Sequence, residues 1–279
     1  MSGGHAGDVR ATGRRAGVTG AAGGHAAGGF AAGMRVIGPE DGRSIRAVTD
    51  LHLRLLPWGP MAGLGRLFLR RFCYTLLIRD GLMEAALFEV DGEPAGFIAY
   101  TTRSLTLHRE ALMRRPGAAA LLLAGSVLAN PAVLVRLVKG ARLLFSRRTE
   151  KRAGGDPQAE VLAIGVLPAY RTPVFARRAG LRISRELVLH AARRFHQAGM
   201  REMRMVVDAF NKPALLFYHG LGGRFEQYRR AGDPMVQVRF DLDALLQGAA
   251  ELLQRDDDAR EPSPRESAPR KKAAGGACS

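Results

Sequence analysis

The stretch Ala159–Arg171, AEVLAIGVLPAYR, decides how this chain is read. Ala159 to Leu167 carries one charged residue, Glu160, and is otherwise apolar up to Pro168. A continuous apolar run of that length reads as a strand buried on both faces inside a sheet. Proline has no N–H for a ladder and ends the run. Downstream, Gly180 to Ala198 reads as a long helix, with Leu181, Leu187, Val188, Ala191 and Phe195 among its apolar positions and Gly199 as its stop. Glu202 to Val207 (EMRMVV) reads as the next strand. Strand, helix, strand in this order predicts a parallel pair with a helical crossover.

Working outward, Met34 to Ile37 reads as a short strand followed by a turn at GPEDG. Ser44 to Leu56 has helical spacing, with Ile45, Val48, Leu51 and Leu55 on one face. PWGPMAG breaks it, and Leu64 to Leu77 reads as a second helix ended by Asp80-Gly81. Met83 to Val90 and Ala95 to Thr101 flank DGEP and predict a hairpin. After the second central strand, Asn211 to Phe225 (NKPALLFYHGLGGRF) reads as a capped helix with a glycine stop. Pro234 to Phe240 alternates as a last strand. The fold class is α/β (α+β): a mixed central sheet flanked by helices, antiparallel in front and β-α-β at its centre.

Composition sets the limits. Residues 1–33 are Gly/Ala-rich and residues 254–279 are charged and Pro/Ser-rich, so both read as disordered tails around a domain at 34–253. The formal charge of +16 points to an anionic partner: nucleic acid, a membrane surface or a small anion. No aromatic-interleaved basic strand or nucleic-acid motif supports specific nucleic-acid binding. Much of the charge is Arg in an Ala/Leu/Gly-rich chain, and a compositional habit explains it equally well. Residues 103–152 form an insertion with eleven Lys/Arg against two acids, an excess of nine. Its uncharged centre, PGAAALLLAGSVLANPAVLV, has three readings: a membrane span, a pair of helices packed on the domain, or an interfacial hairpin on an anionic membrane. Asn130-Pro131 splits it and argues against the span. Two cysteines, Cys73 and Cys278, make neither a disulfide framework nor a metal site, which predicts a reducing cytoplasm. No secretory signal is expected from the first residues.

Three stretches in order carry a resemblance: AEVLAIGVLPAYR, ARRAGLRISREL, and EMRMVVDAFNKPALLFYHGLGGRF. With their Val-x-Pro-x-Tyr-Arg strand exit and Asn-x-x-Ala-x-x-Phe-Tyr element, they resemble the GNAT superfamily of acetyl-CoA-dependent N-acyltransferases. The resemblance covers 159–240 well and 34–101 loosely. It implies that acetyl-CoA is the co-substrate, with no metal, and that its pantetheine arm lies between two splayed central strands. Backbone groups of Ile164, Gly165 and Val166 would pair with that arm and with the thioester carbonyl. Arg171, Arg177, Arg178, Ala179, Gly180 and Leu181 fall where the family holds the pyrophosphate, on a loop opening a helix. Arg182 departs from the small residue usual there, and TPVFA lengthens the loop. A helix N-terminus suits such an anion through its free N–H groups and dipole.

By the same resemblance Asn211 caps its helix and touches the cofactor arm, and Ala214 leaves room for it. Tyr218, about two turns on, would protonate the departing thiolate. Glu160 would be the base, directly or through water. Each has a plainer alternative: a solvated helix start for the arginines, a crowded sheet for Gly165, a half-buried aromatic for Tyr218, an exposed carboxylate for Glu160. Phe217 reads as core. His190 and His196 read as solvent-side or helix-end residues, His219 as an outsider for acid/base work, and His52 and His108 as candidates to shape an acceptor pocket. The expected function is acetyl transfer to a primary amine, by direct attack through a tetrahedral intermediate. The acceptor, a small molecule or glycan, would sit among the front helices, hairpin and insertion. Alternatives are a longer acyl-CoA or a membrane-proximal glycan or lipid acceptor, and a non-enzymatic basic module. Peripheral contact with the inner face of the membrane through 103–152 and a homodimer are further expectations.

Overall fold

The computed structural model describes residues 22–25, 30–59, 61–133, 158–230 and 233–258. The remainder of both expected tails, with Cys278, and residues 134–152 of the insertion lie outside the described residues.

Eight strands form one sheet: β1 (Ala22–His25), β2 (Ala31–Val36), β3 (Glu84–Val90), β4 (Glu93–Thr101), β5 (Ala159–Val166), β6 (Glu202–Asp208), β7 (Arg224–Arg230) and β8 (Asp233–Asp241). Their order is β1-β2-β3-β4-β5-β6-β8-β7. Every neighbouring pair is antiparallel except β5–β6, which is parallel. The mixed sheet and its β-α-β centre agree with the sequence reading. The β3–β4 turn has positive φ at both Asp91 (52°) and Gly92 (80°). A two-residue turn of that hand matches strand twist, and Asp-Gly tolerates it. Asp91 also accepts the Ala31 N–H through Oδ1 (2.9 Å), tying the start of β2 to the hairpin.

Alternation along the strands makes two cores. Ala86, Phe88, Ile98, Val161, Met203, Met205, Val238 and Phe240 face one side. There α6 (Ile183–Gln197) buries Leu187, Val188, Ala191 and Phe195, and α8 (Leu242–Asp258) adds Leu242, Leu245 and Ala249. Ala85, Leu87, Phe97 and Ala99 face the other side, against α1 (Gly42–Leu55) and α2 (Arg66–Phe68). Asp41 caps α1 by accepting the Ser44 N–H (3.0 Å). The expected second helix, Leu64–Leu77, differs in kind. A 3₁₀ turn (Ala62–Leu64) precedes Gly65 at φ 90°, and α2 continues as a π-helix over Leu69–Leu77. The wider turn buries Leu69, Phe72, Cys73, Tyr74 and Leu77 together.

Three elements lie beyond the sequence reading. β1, and the Ala31–Gly33 start of β2, fall inside the expected N-terminal tail, because a backbone ladder needs no large side chains. β7 (RFEQYRR) has too many charges to read as a strand. Helix α8 runs past the expected tail boundary at 253, and its signal was present: Asp241 caps it by accepting the Ala244 N–H (2.9 Å), ahead of Leu242, Leu245, Leu246 and Ala249. In the insertion, α3 (Leu107–Arg114) and α4 (Pro116–Ala129) are two helices, and α4 packs on the front core through Ala119, Leu122 and Leu123. No helix among the described residues is long and apolar enough to cross a membrane.

His52 sits in the front core at 6% exposure. Its Nδ1 is 2.7 Å from the Tyr74 hydroxyl, and its ring stacks on Phe97. It is structural, not a pocket wall. Burial lowers its pKa to about 4. The unfolded chain therefore takes up a proton below about 6.5 that the folded chain refuses. The contribution of His52 is full above pH 6.5 and is lost as pH falls toward 4. Thermal melts at pH 7 and pH 5 are expected to show about 1–2 kcal/mol of this loss. His52→Gln should flatten the slope. An unchanged slope refutes the assignment.

Candidate active site

The parallel junction is where the sheet opens. β5 and β6 pair only at Ala159↔Met203, Glu160↔Arg204 and Val161↔Met205, although β5 runs on to Val166 and β6 to Asp208. On its other edge β5 stays paired with β4 as far as Gly96↔Val166. The register slips between Ala99 and Tyr100, leaving Leu162 without a partner on β4. An extra residue bends a strand and increases its twist, and here β5 leaves β6 at that bulge. The Leu167 N–H donates to the Ala95 carbonyl (2.9 Å), so Gly165 and Ala163, at the same parity, also turn their backbone groups to β4. Ile164 and Val166 turn theirs the other way, into the gap between β5 and β6.

This divides the three expected backbone contacts. Ile164 and Val166 are placed to meet a chain lying in the gap. Gly165 is not, and its backbone belongs to the β4 ladder. A Cβ there would lie 2.9 Å from Leu55 Cδ1 and 3.0 Å from Phe97 Cε1. The glycine leaves room for the Leu55 side chain of α1 and the Phe97 ring against the sheet.

At the wide end of the gap, the expected phosphate loop has a different form. Pro168–Arg171 makes a 3₁₀ turn, and α5 (Pro173–Ala179) follows. Thr172 accepts the Phe175 N–H (3.1 Å) and Pro173 occupies the first helical position, a helix start the loop reading passed over. Gly180, at φ 65°, ends α5, so α6 begins at Ile183 and not at Gly180. Ala179 is fully buried and cannot reach a ligand. The Arg178 guanidinium lies 5.3 Å over the Phe30 ring, which itself packs on Phe175. Arg171, Arg177, Gly180 and Arg182 are exposed, and Leu181 is half-buried. No side chain caps the N-terminus of α6. A helix start of this kind, with arginines nearby, is chemically suited to an anion.

On the β6 side, α7 (Lys212–Gly220) begins at Asn211, whose Oδ1 accepts the Ala214 N–H (3.3 Å). Tyr218 is 5% exposed, edge-on to Phe240 and beside Phe217, which packs on the core. Its hydroxyl has no hydrogen-bond partner among the described residues. Yet no buried polar side-chain atom there is left unsatisfied, so the residual exposure lies at the hydroxyl. Burial pushes the phenol well above its usual pKa, which keeps it protonated as a donor.

Glu160 lies at the narrow end, where the strands still pair. It accepts from Arg204 at 2.9 and 3.2 Å. Arg204 is 6% exposed and also donates to Gln237 and Ser104 (3.4 Å each). Gln237 and Arg239 continue the polar row to Glu226 on β7, and Arg239 to Glu202. The expected base is therefore committed to an ion pair. Protonating it would remove a counter-charge from a buried guanidinium. Arg204 carried no sequence signal, because a lone Arg in EMRMVV reads as solvent-facing. His190 bonds the Tyr100 hydroxyl (3.1 Å) on the α6 face, beside a cavity of about 190 Å³ lined by Glu84, Thr102 and Arg194. His196 pairs with Asp243 (3.0 Å), joining α6 to α8. His219 is exposed near Phe225. The His108 side chain lies outside the described residues. No cluster of His, Cys, Asp and Glu arranged for a metal occurs among the described residues.

No family model and no curated protein matches the chain. Solved structures do resemble it. An uncharacterized protein from Bacillus halodurans is 7% identical, with TM-score 0.48, over 81% of this chain and 92% of that one. A Desulfovibrio desulfuricans protein assigned to the GNAT acetyltransferase family is 15% identical, with TM-score 0.43, over 76% and 99%. Arabidopsis thaliana NAA60 in complex with acetyl-CoA is 14% identical, with TM-score 0.43, also over 76% and 99%.

Proposed function

We propose that this protein is a GNAT-type acyltransferase that carries an acetyl group from acetyl-CoA to a primary amine. The observation that carries this reading is the three-residue pairing of β5 with β6 followed by their divergence. That gap offers an edge to an extended, amide-containing chain such as pantetheine. Its wide end meets the uncapped start of α6, which suits a diphosphate. The donor then enters with its phosphates at α6 and its thioester toward the bulge at Leu162. An amine attacks the carbonyl carbon, and the oxyanion that forms is stabilised by a backbone N–H facing the gap. Ile164 and Val166 supply such donors, and one well-placed donor contributes about 3–4 kcal/mol. Collapse expels the thiolate, toward which the Tyr218 hydroxyl offers a proton. The ammonium proton of the nucleophile leaves to water or to a group on the acceptor side.

The direct test is a thermal shift. Acetyl-CoA at 100 times its Kd should stabilise the fold by about 2.7 kcal/mol, raising Tm by roughly 5–10 °C. No shift at millimolar acetyl-CoA overturns the reading. A series of acyl-CoA lengths, followed by thiol release with an amine library, then separates acetyl transfer from longer-chain transfer.

A further inference from the structure

Helix α4 is apolar on every side. From Pro116 to Ala129 it reads PGAAALLLAGSVLA, fourteen residues without a charge. Its inner stripe, Ala119, Leu122, Leu123 and Ser126, packs on the front core. Its outer stripe, on the opposite side of the helix, is Gly117, Leu121, Ala124 and Leu128. Leu121 is 74% exposed and Leu128 is 85% exposed. A surface helix of a globular domain ordinarily turns a polar face to water, and this one turns leucines. Its neighbours share the character: Met113 at the end of α3 is 67% exposed and Leu67 on α2 is 49% exposed.

Charge says what this surface meets. Arg114 and Arg115 stand at the N-terminal end of α4, each with its side chain 43% exposed and each in an ion pair, Arg114 with Glu110 and Arg115 with Asp80, and Arg109 is exposed on α3. Among the described residues of the insertion, 103–133, four arginines stand against one acid, Glu110. Apolar side chains beside arginine fit the boundary of an anionic bilayer, where leucine enters the acyl edge and guanidinium meets phosphate. The length excludes a span: fourteen residues make roughly 21 Å of helix against about 30 Å of hydrocarbon.

We infer that α4 is a membrane-docking helix that lies in the surface of an anionic phospholipid bilayer with Leu121 and Leu128 inserted. The proposal rests on exposure and charge and is independent of the acyl-transfer reading. The test is co-sedimentation of the full chain with vesicles of phosphatidylcholine alone and with 30% phosphatidylserine, at about 0.1 M salt. Binding is expected only with the anionic lipid. Leu121→Asp/Leu128→Asp should reduce the bound fraction at least tenfold. Leu121→Gln/Leu128→Gln, which adds no charge, should reduce it at least threefold. Both substitutions are at exposed positions, so melting temperature should stay within 2 °C of the parent. Three results overturn the proposal: equal binding to both vesicle types, binding by the variants at the parent level, or no vesicle binding together with a dimer that Leu121→Asp dissociates.

Discussion

Glu160→Ala is expected to lower the melting temperature by roughly 6–12 °C. The side chains of Glu160 and Arg204 are 16% and 8% exposed, and Arg204 sits between Ser104, Gln237 and the carboxylate. Removing a carboxylate that bonds a buried guanidinium costs about 3–5 kcal/mol where pairs of this kind are broken. The partial exposure of Glu160 argues for the lower figure. A domain of this size loses about 2–4 °C per kcal/mol. The double variant Glu160→Ala/Arg204→Met removes both charges and should recover most of the loss, because an apolar replacement of a buried pair is often neutral. A single-variant loss below 1 kcal/mol by denaturant titration refutes the account. The same pair decides the role of Glu160 in turnover. If Glu160 serves the fold, acyl transfer recovers in the double variant along with stability. If it is the base, the double variant folds and stays inactive.

Tyr218→Phe is expected to lower kcat about 10–100-fold while the KM for acetyl-CoA stays within about twofold. The ring packs against Phe217 and Phe240, and the hydroxyl has no hydrogen-bond partner among the described residues. Phenylalanine fills the same space, so the fold should hold and only a proton donor is lost. An ordinary phenol titrates near 10, and burial moves this one higher. The sign follows: the donor stays protonated through pH 10, so no alkaline fall in kcat arises from Tyr218 below that pH. The raised value also makes full transfer to a thiolate of pKa near 8.5 uphill. As the proposed acid, Tyr218 would then work by hydrogen bonding the sulfur as charge builds and giving up its proton late. Equal losses in kcat and donor affinity would place Tyr218 in binding. A kcat within twofold of the parent would remove it from the chemistry.

The two predictions divide the site between what could be read from the chain and what could not. Tyr218 was legible because helical spacing fixes its side relative to Asn211, and both follow a strand. The strand itself was legible because an apolar run ended by proline has few other fates. The Arg204 pairing was not, because it joins residues 44 positions apart across a parallel ladder. Thr172-Pro173 was a local helix start and was legible in principle, but the expectation of a loop passed over it. Gly165 was expected to admit the cofactor arm, whereas its surroundings match the plainer alternative of a crowded sheet, and the body crowding it, Leu55 of α1, depended on how a distant helix packs.

By itself the sequence determined the elements and their order, through hydrophobic period, turn residues and capping. It thereby determined a mixed sheet with one parallel junction, and a basic, uncharged-centred insertion after the hairpin. Tertiary structure alone decided that the parallel junction parts after three residue pairs, that the carboxylate at its base is neutralised, and that one stripe of α4 is left bare. The physical reason is range. Period and capping act within a few residues, whereas strand divergence, ion pairing across a ladder and residual exposure depend on which distant surfaces meet.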